Sequence, residues 1–267
     1  MKAIPEVEPA ALERKDLLRQ FGEDFAFIIA SNEEQKRQAF ALRHDVFIKE
    51  LGYEMHEDEE QMLEFDEHDH KAIHCLIRHK RTGVIAGCLR LIIPSKKDQE
   101  KGYLLPIELH GEDCLDHTTL RPKFLPKDQI CEVSRLAIAR EFREKKGENP
   151  ALANHNFTSY EIKTFSIILI GLFLCTYTIV GLTEKRHVFA MMEPRLPRAL
   201  SLSGFHFSKV SKTINYHGKR NAFYIDHSKA EKEIHQDLIQ LYAKIQSELS
   251  LQIDETITTD TRNTQSA

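Results

Sequence analysis

The sequence contains no tryptophan, so any aromatic pocket must be built from its phenylalanines and tyrosines. It has five cysteines, an odd number, and no Cys-x-x-Cys pair, which removes the usual spacing of a zinc ribbon or a dithiol redox centre. Three of the five lie inside apolar runs, the pattern of reduced, buried thiols in a cytoplasmic protein. A large excess of charge of one sign is also missing: the net value is −4 and neither half is strongly basic, so general nucleic-acid binding is not expected. The opening MKAIPEVEPAALERKD has no apolar core segment, and no secretory signal is expected there. His68, His70 and His74 beside Asp66 and Asp69 lack an established ligand spacing, so no metal site is assigned. No internal repeat occurs.

What is present is an ordinary globular composition, 41% apolar and 29% charged over 267 residues, enough for a substantial core. One uncharged run, Thr164–Leu182, is just long enough to span a bilayer. Gly171, Thr176, Tyr177 and Thr178 dilute it, and one isolated span in mid-domain would split the domain in two, so a core helix is the expectation. Peripheral membrane contact stays open.

The pattern predicts residues 1–23 as a polar, partly helical leader, a domain over 24–228, a C-terminal helix over 229–253 and a disordered tail over 254–267. Within the domain, FAFIIA reads as a strand. Ser31, with Glu34 three residues on, reads as a helix cap, and Phe40, Arg43, Phe47 and Leu51 as one helical face. Tyr53–His70 reads as an acidic loop. Strands come next over Ala72–Arg78, Val84–Ile93 and Ile130–Ile138, with irregular chain over 94–128 between the last two. A long helix over Tyr160–Leu182, a strand over Val188–Met192, a short helix and two closing strands complete an α/β sandwich around a mixed sheet.

Charged residues interrupt these apolar stretches in a fixed order: Arg43 in AFALRHDVFIKELGYE, Asp66 and Asp69 in EFDEHD, Arg90 in GCLRLIIP, Glu132 and Arg135 in CEVSRLAI. Unpaired charges in such places cost several kcal/mol, so they are expected to converge. On a flat strand Glu132 and Arg135 point to opposite faces; a bulge is needed to bring both to one cleft. A carboxylate there can take a proton from an attacking ammonium.

This order and spacing resembles the autoinducer-synthase branch of the N-acetyltransferase-like fold. The stretches MMEPRLPRALSLSGFHF and NYHGKRNAFYID resemble a narrower family, the acyltransferases associated with exosortase/PEP-CTERM protein sorting, close to N-acyl amino acid synthases. Together the matches run from about residue 25 to about residue 230. The resemblance implies a GNAT-like sandwich with a central mixed sheet. It also implies Glu132 and Arg135 as catalytic residues, and Arg43, Phe47, Tyr53, Asp66, Asp69 and Arg90 around the amine substrate. Autoinducer synthases typically carry Trp where this chain has Tyr53, which moves the expected acceptor from S-adenosylmethionine toward an ordinary amino acid.

Leu136–Gly147 resembles the loop that grips the pantetheine pyrophosphate, but only Gly147 of its alternating glycines is present. Arg140, Arg143, Lys145 and Lys146 instead form a basic cluster suited to an acidic acyl carrier protein or to a solvated turn. The expectation is a cytoplasmic N-acyltransferase with no bound cofactor. Its co-substrate is a long-chain acyl thioester, on acyl carrier protein or coenzyme A, and its acceptor a small amine. An acyl-homoserine lactone synthase, a simple acetyltransferase and a non-catalytic acyl-binding or membrane-associated accessory protein are the alternatives.

Overall fold

In a computed structural model the described residues are 9–94, 104–143 and 155–263. In chain order the helices are α1 (Pro9–Asp24), α2 (Glu33–Arg43), α3 (Pro106–Gly111), α4 (Ser159–Thr164), α5 (Ile168–Leu182), α6 (Leu196–Ser201), α7 (His227–Glu233) and α8 (Ile239–Asn263). The longer strands are β1 (Phe25–Ile29), β4 (Ala72–His79), β5 (Ile85–Ile92), β6 (Ile130–Ile138), β7 (His187–Met192) and β10 (Lys219–Asp226). Four two-residue strands, β2 (Glu57–Asp58), β3 (Leu63–Glu64), β8 (Ser208–Lys209) and β9 (Ile214–Asn215), complete the set.

The main sheet runs β1-β4-β5-β6-β7-β10-β8, with β9 on β10. All its pairings are antiparallel except β6 with β7. That parallel pairing stops at Val133↔Ala190, although β6 continues to Ile138 and β7 to Met192. Beyond that point the two strands part and leave a groove in the middle of the sheet.

Strand β5 is buried along nearly its whole length because helices cover both its faces, α5 on one side and α2 on the other. Helix α5 settles the apolar run. The segment Ser159–Leu182 is long and apolar enough to cross a membrane, but eleven of the fifteen residues of α5 are buried inside the fold. It packs on β4, β5, β6 and α8, and a side chain at Gly171 would come within 2.8 Å of the Phe21 ring. A helix covered this way has no polar face because none of its faces meets solvent over much of its length.

Several sequence expectations need correction. The helical part of the expected 1–23 leader is α1, which runs on to Asp24 and does not stand apart from the domain: its Leu18 and Phe21 enter the core. At the other end, α8 continues to Asn263, into the stretch expected to be disordered. The acidic loop holds the small β2–β3 hairpin. The cap of α2 is Asn32, not Ser31: its side chain accepts from Gln35 N–H at 2.9 Å. Asn32→Ala should therefore lower stability by about 1 kcal/mol, read as a lower urea midpoint at unchanged slope.

The single apolar stripe on that helix is also broken. After Arg43 the chain widens into a π-helical turn, His44–Glu50, closed by Leu51 N–H on Val46 O at 3.2 Å. The wider turn rotates the residues beyond it out of the 3.6-residue register, so Leu51 is exposed while Phe47 faces a cleft beside β6.

Candidate active site

Strand β6 carries the centre of the site. Its pairing with β5 runs from Cys88↔Ala137 directly to Arg90↔Ser134, so Arg135 and Leu136 together face Leu89. Arg135 takes a left-handed φ of 55°, the mark of a bulge. This extra residue puts Glu132, Ser134 and Arg135 around one cleft of about 150 Å³, where strict alternation would send Arg135 to the other face from Glu132.

Glu132 is buried, and Ile107 N–H donates to its Oε2 at 2.8 Å. Burial pushes its carboxyl up to about 8; the Ile107 hydrogen bond and the charges of Arg90 and Arg135 offset only part of that cost. A carboxylate in that range is a competent proton acceptor near neutral pH.

Behind this cleft three guanidiniums meet three carboxylates. Arg43 donates to Glu64 and, through both terminal nitrogens, to Asp69 at 2.7 and 2.9 Å. Arg90 donates to Asp66 at 2.6 Å, to Asp69 at 2.9 Å and to Ser134 Oγ at 3.0 Å. Arg135 donates to Glu64 at 3.0 Å and to Asp66 at 2.7 Å. Burial opposes the charged form of Asp66 and of Asp69, yet the facing arginines hold both carboxyls below the ordinary range. His74, 3.7 Å from Asp69, is pushed down to about 4 by burial and stays neutral.

Phe47, Tyr53, Asp66 and Arg90 line the cleft with Glu132 and Arg135. Arg43 and Asp69 are absent from its lining; both are buried within the ion-pair wall. They form the wall behind the cleft, within the set expected around the amine substrate. The cleft also takes His68 from the acidic stretch, Tyr216 and His217 from the turn between β9 and β10, and Arg220 from the start of β10. Gly218, at φ 93°, makes that turn. Tyr53 stacks on His217 with ring centres 4.6 Å apart, and Arg220 donates to the Tyr53 hydroxyl at 3.2 Å.

Next to the cleft, the parting strands open a second space of about 350 Å³. Leu136 and Ile138 of β6, Met192 of β7 and Phe173 of α5 give it an apolar lining. Arg135, Arg220, Phe47 and Tyr53 border both spaces, so a chain lying in the groove ends beside the polar cleft.

A domain model described as an acetyltransferase (GNAT) domain matches residues 42–152, which span the bulged strand and its ion-pair wall. Over those residues the chain is similar to a GNAT acetyltransferase domain, which supports an acyltransferase. BjaI, a CoA-dependent acyl-homoserine lactone synthase solved with SAM and isopentyl-CoA, superposes at TM-score 0.55 and 19% identity, over 83% of this chain and 88% of its own. LasI, an AHL synthase, gives 0.54 and 16% over 79% and 94%. FeeM, an N-acyl amino acid synthase from uncultured soil microbes, gives 0.49 and 13% over 80% and 97%. At such identities the likeness to BjaI and LasI shows the fold. No curated protein matches the sequence.

In this acyltransferase the described start of the Leu136–Gly147 loop makes a 3-10 turn, Arg140–Phe142, whose Phe142 is buried. Arg143 borders the apolar groove; its Nε donates to Ile138 O at 2.7 Å and its terminal nitrogen pairs with Glu50. Arg140 is exposed, and Lys145 and Lys146 lie outside the described residues. Among the described residues, no three His, Cys, Asp or Glu side chains are grouped to hold a metal ion.

Proposed function

We propose that this acyltransferase moves a long-chain fatty acyl group from a thioester onto the amine of an amino acid, forming an N-acyl amino acid. The observation that carries this reading is the position of Glu132. A buried carboxylate with its pKa raised to about 8 lines a polar cleft that adjoins an apolar groove. Glu132 takes a proton from the acceptor ammonium. The freed amine attacks the thioester carbonyl, and backbone N–H groups that the bulge takes out of the ladder steady the oxyanion. Collapse breaks the C–S bond; the leaving thiolate takes the second proton from the cationic tetrahedral nitrogen, and the proton held by Glu132 passes to solvent.

Acyl carrier protein is the donor we propose first. The pyrophosphate loop lacks its glycines, and the Arg140–Lys146 segment is rich in cations that suit an acidic surface. With that donor we propose a cytoplasmic reaction. The proposal extends to the exosortase-associated family through MMEPRLPRALSLSGFHF and NYHGKRNAFYID, which supply Met191, Tyr216, His217 and Arg220 to the cleft.

Lipid extracts from cells with and without the protein, compared by mass spectrometry, test the product. New N-acyl amino acids support the reading. An acyl-homoserine lactone, an acetylated amine or no new species replaces it with one of its rivals.

The pKa of Glu132 also fixes a pH dependence. The base is active when ionised, so with a raised pKa it is mostly protonated below neutrality. kcat/KM should rise between pH 6 and 8 and level off above about 8. A flat profile over that range would remove Glu132 as the base.

A further inference from the structure

The three arginines of the wall are matched one for one by Glu64, Asp66 and Asp69. A substrate carboxylate approaching Arg90 or Arg135 has to displace a protein carboxylate that is itself buried or half-buried, and stranding such a charge is costly. Arg220 stands differently. It lines the same cleft from the start of β10, with its side chain 15% exposed. Its carboxylate contact, 3.2 Å to Glu193, is to a side chain 63% exposed, so solvent screens the pair and an incoming anion replaces it at little cost. Its other terminal nitrogen donates to the Tyr53 hydroxyl at 3.2 Å. That oxygen acts there as acceptor, which leaves the phenolic proton to donate elsewhere. His217 stacks on Tyr53 and covers this corner. After burial, the nearby charges of Arg135 and Arg220 are the largest influences lowering the His217 pKa, as expected of a locally positive corner.

We propose that Arg220, with the Tyr53 hydroxyl, is the carboxylate anchor of the acceptor site, so that the enzyme selects amino acids over amines lacking an acid group. The proposal rests on the acyl-transfer reading and names the half of the acceptor that Glu132 does not serve. A planar guanidinium fork grips a carboxylate at two points, while Glu132 of the same cleft remains for the ammonium.

The test uses the full chain with a long-chain acyl-coenzyme A or acyl carrier protein, the preferred amino acid and its primary amide, reading thiol release and product mass. Wild type should favour the acid. Arg220→Gln should lower kcat/KM for the acid about 10- to 100-fold, mainly through KM, and leave the amide nearly unchanged, so the preference collapses. Arg220→Lys should recover part of it. Retention of the wild-type preference in Arg220→Gln, or equal use of acid and amide by wild type, overturns the anchor while leaving acyl transfer standing. No N-acyl product from any amino acid overturns the reading beneath it as well. Should Arg220→Gln fail to fold, Tyr53→Phe keeps the ring stack and removes the second donor. It too should lower the preference for the acid, and an unchanged ratio there counts against the anchor.

Discussion

Glu132→Gln is expected to lower kcat by ~10²–10⁴ and leave the protein folded. The amide oxygen of Gln accepts the Ile107 N–H as Glu132 Oε2 does, so no buried donor is orphaned. What is lost is the ability to take a proton. The stability side has a definite sign. A carboxyl raised from 4.5 to about 8 favours the folded state while protonated, and that contribution is lost as pH rises through about 8. Gln does not ionise, so the variant should melt no lower than the parent at pH 7 and higher above pH 8. Full activity with both substrates saturating would make Glu132 structural.

The second large effect is on stability. Arg43→Ala should cost about 3–5 kcal/mol, because it leaves Glu64 and Asp69 in the interior without their nearest cation. Against the 5–15 kcal/mol typical of whole domains, this threatens folding at growth temperature. Urea unfolding measures it directly. Acid should act through the same wall. The folded-state pKa values of Asp66 and Asp69 lie below the unfolded 3.8, so their contribution is present above that value and disappears as pH falls through the lower folded ones. An Arg43→Ala variant as stable as the parent would mean that the wall does not hold the cleft.

The convergence of Arg90, Glu132 and Arg135 was legible because charges stand out in apolar strands, and the bulge was legible because alternation alone could not serve both Glu132 and Arg135. Glu64 was not legible. It is one acid among nine in Tyr53–His70, and only the β2–β3 hairpin turns it inward onto two arginines. The division between arginines that face the cleft and the one behind it was hidden for a similar reason. Arg43 and Arg90 are equally buried, and only the tertiary arrangement places Arg43 in the rear. The π-helical turn broke a periodicity read at 3.6 residues per turn, and so placed Leu51 wrongly. Leu18 and Phe21 were too sparse to mark α1 as a core element, although they meet the large apolar face of α5 and its neighbours. Arg220 joins Tyr53 across 167 residues of sequence, a contact that no local pattern encodes.

The most direct measurement is a single-turnover reaction of the purified full chain with a long-chain acyl thioester and a mixture of amino acids, followed by mass spectrometry. The account predicts an N-acyl amino acid formed in step with thiol release, abolished by Glu132→Gln. Thiol release that yields only free fatty acid, or no release from acyl carrier protein and coenzyme A donors alike, would contradict it.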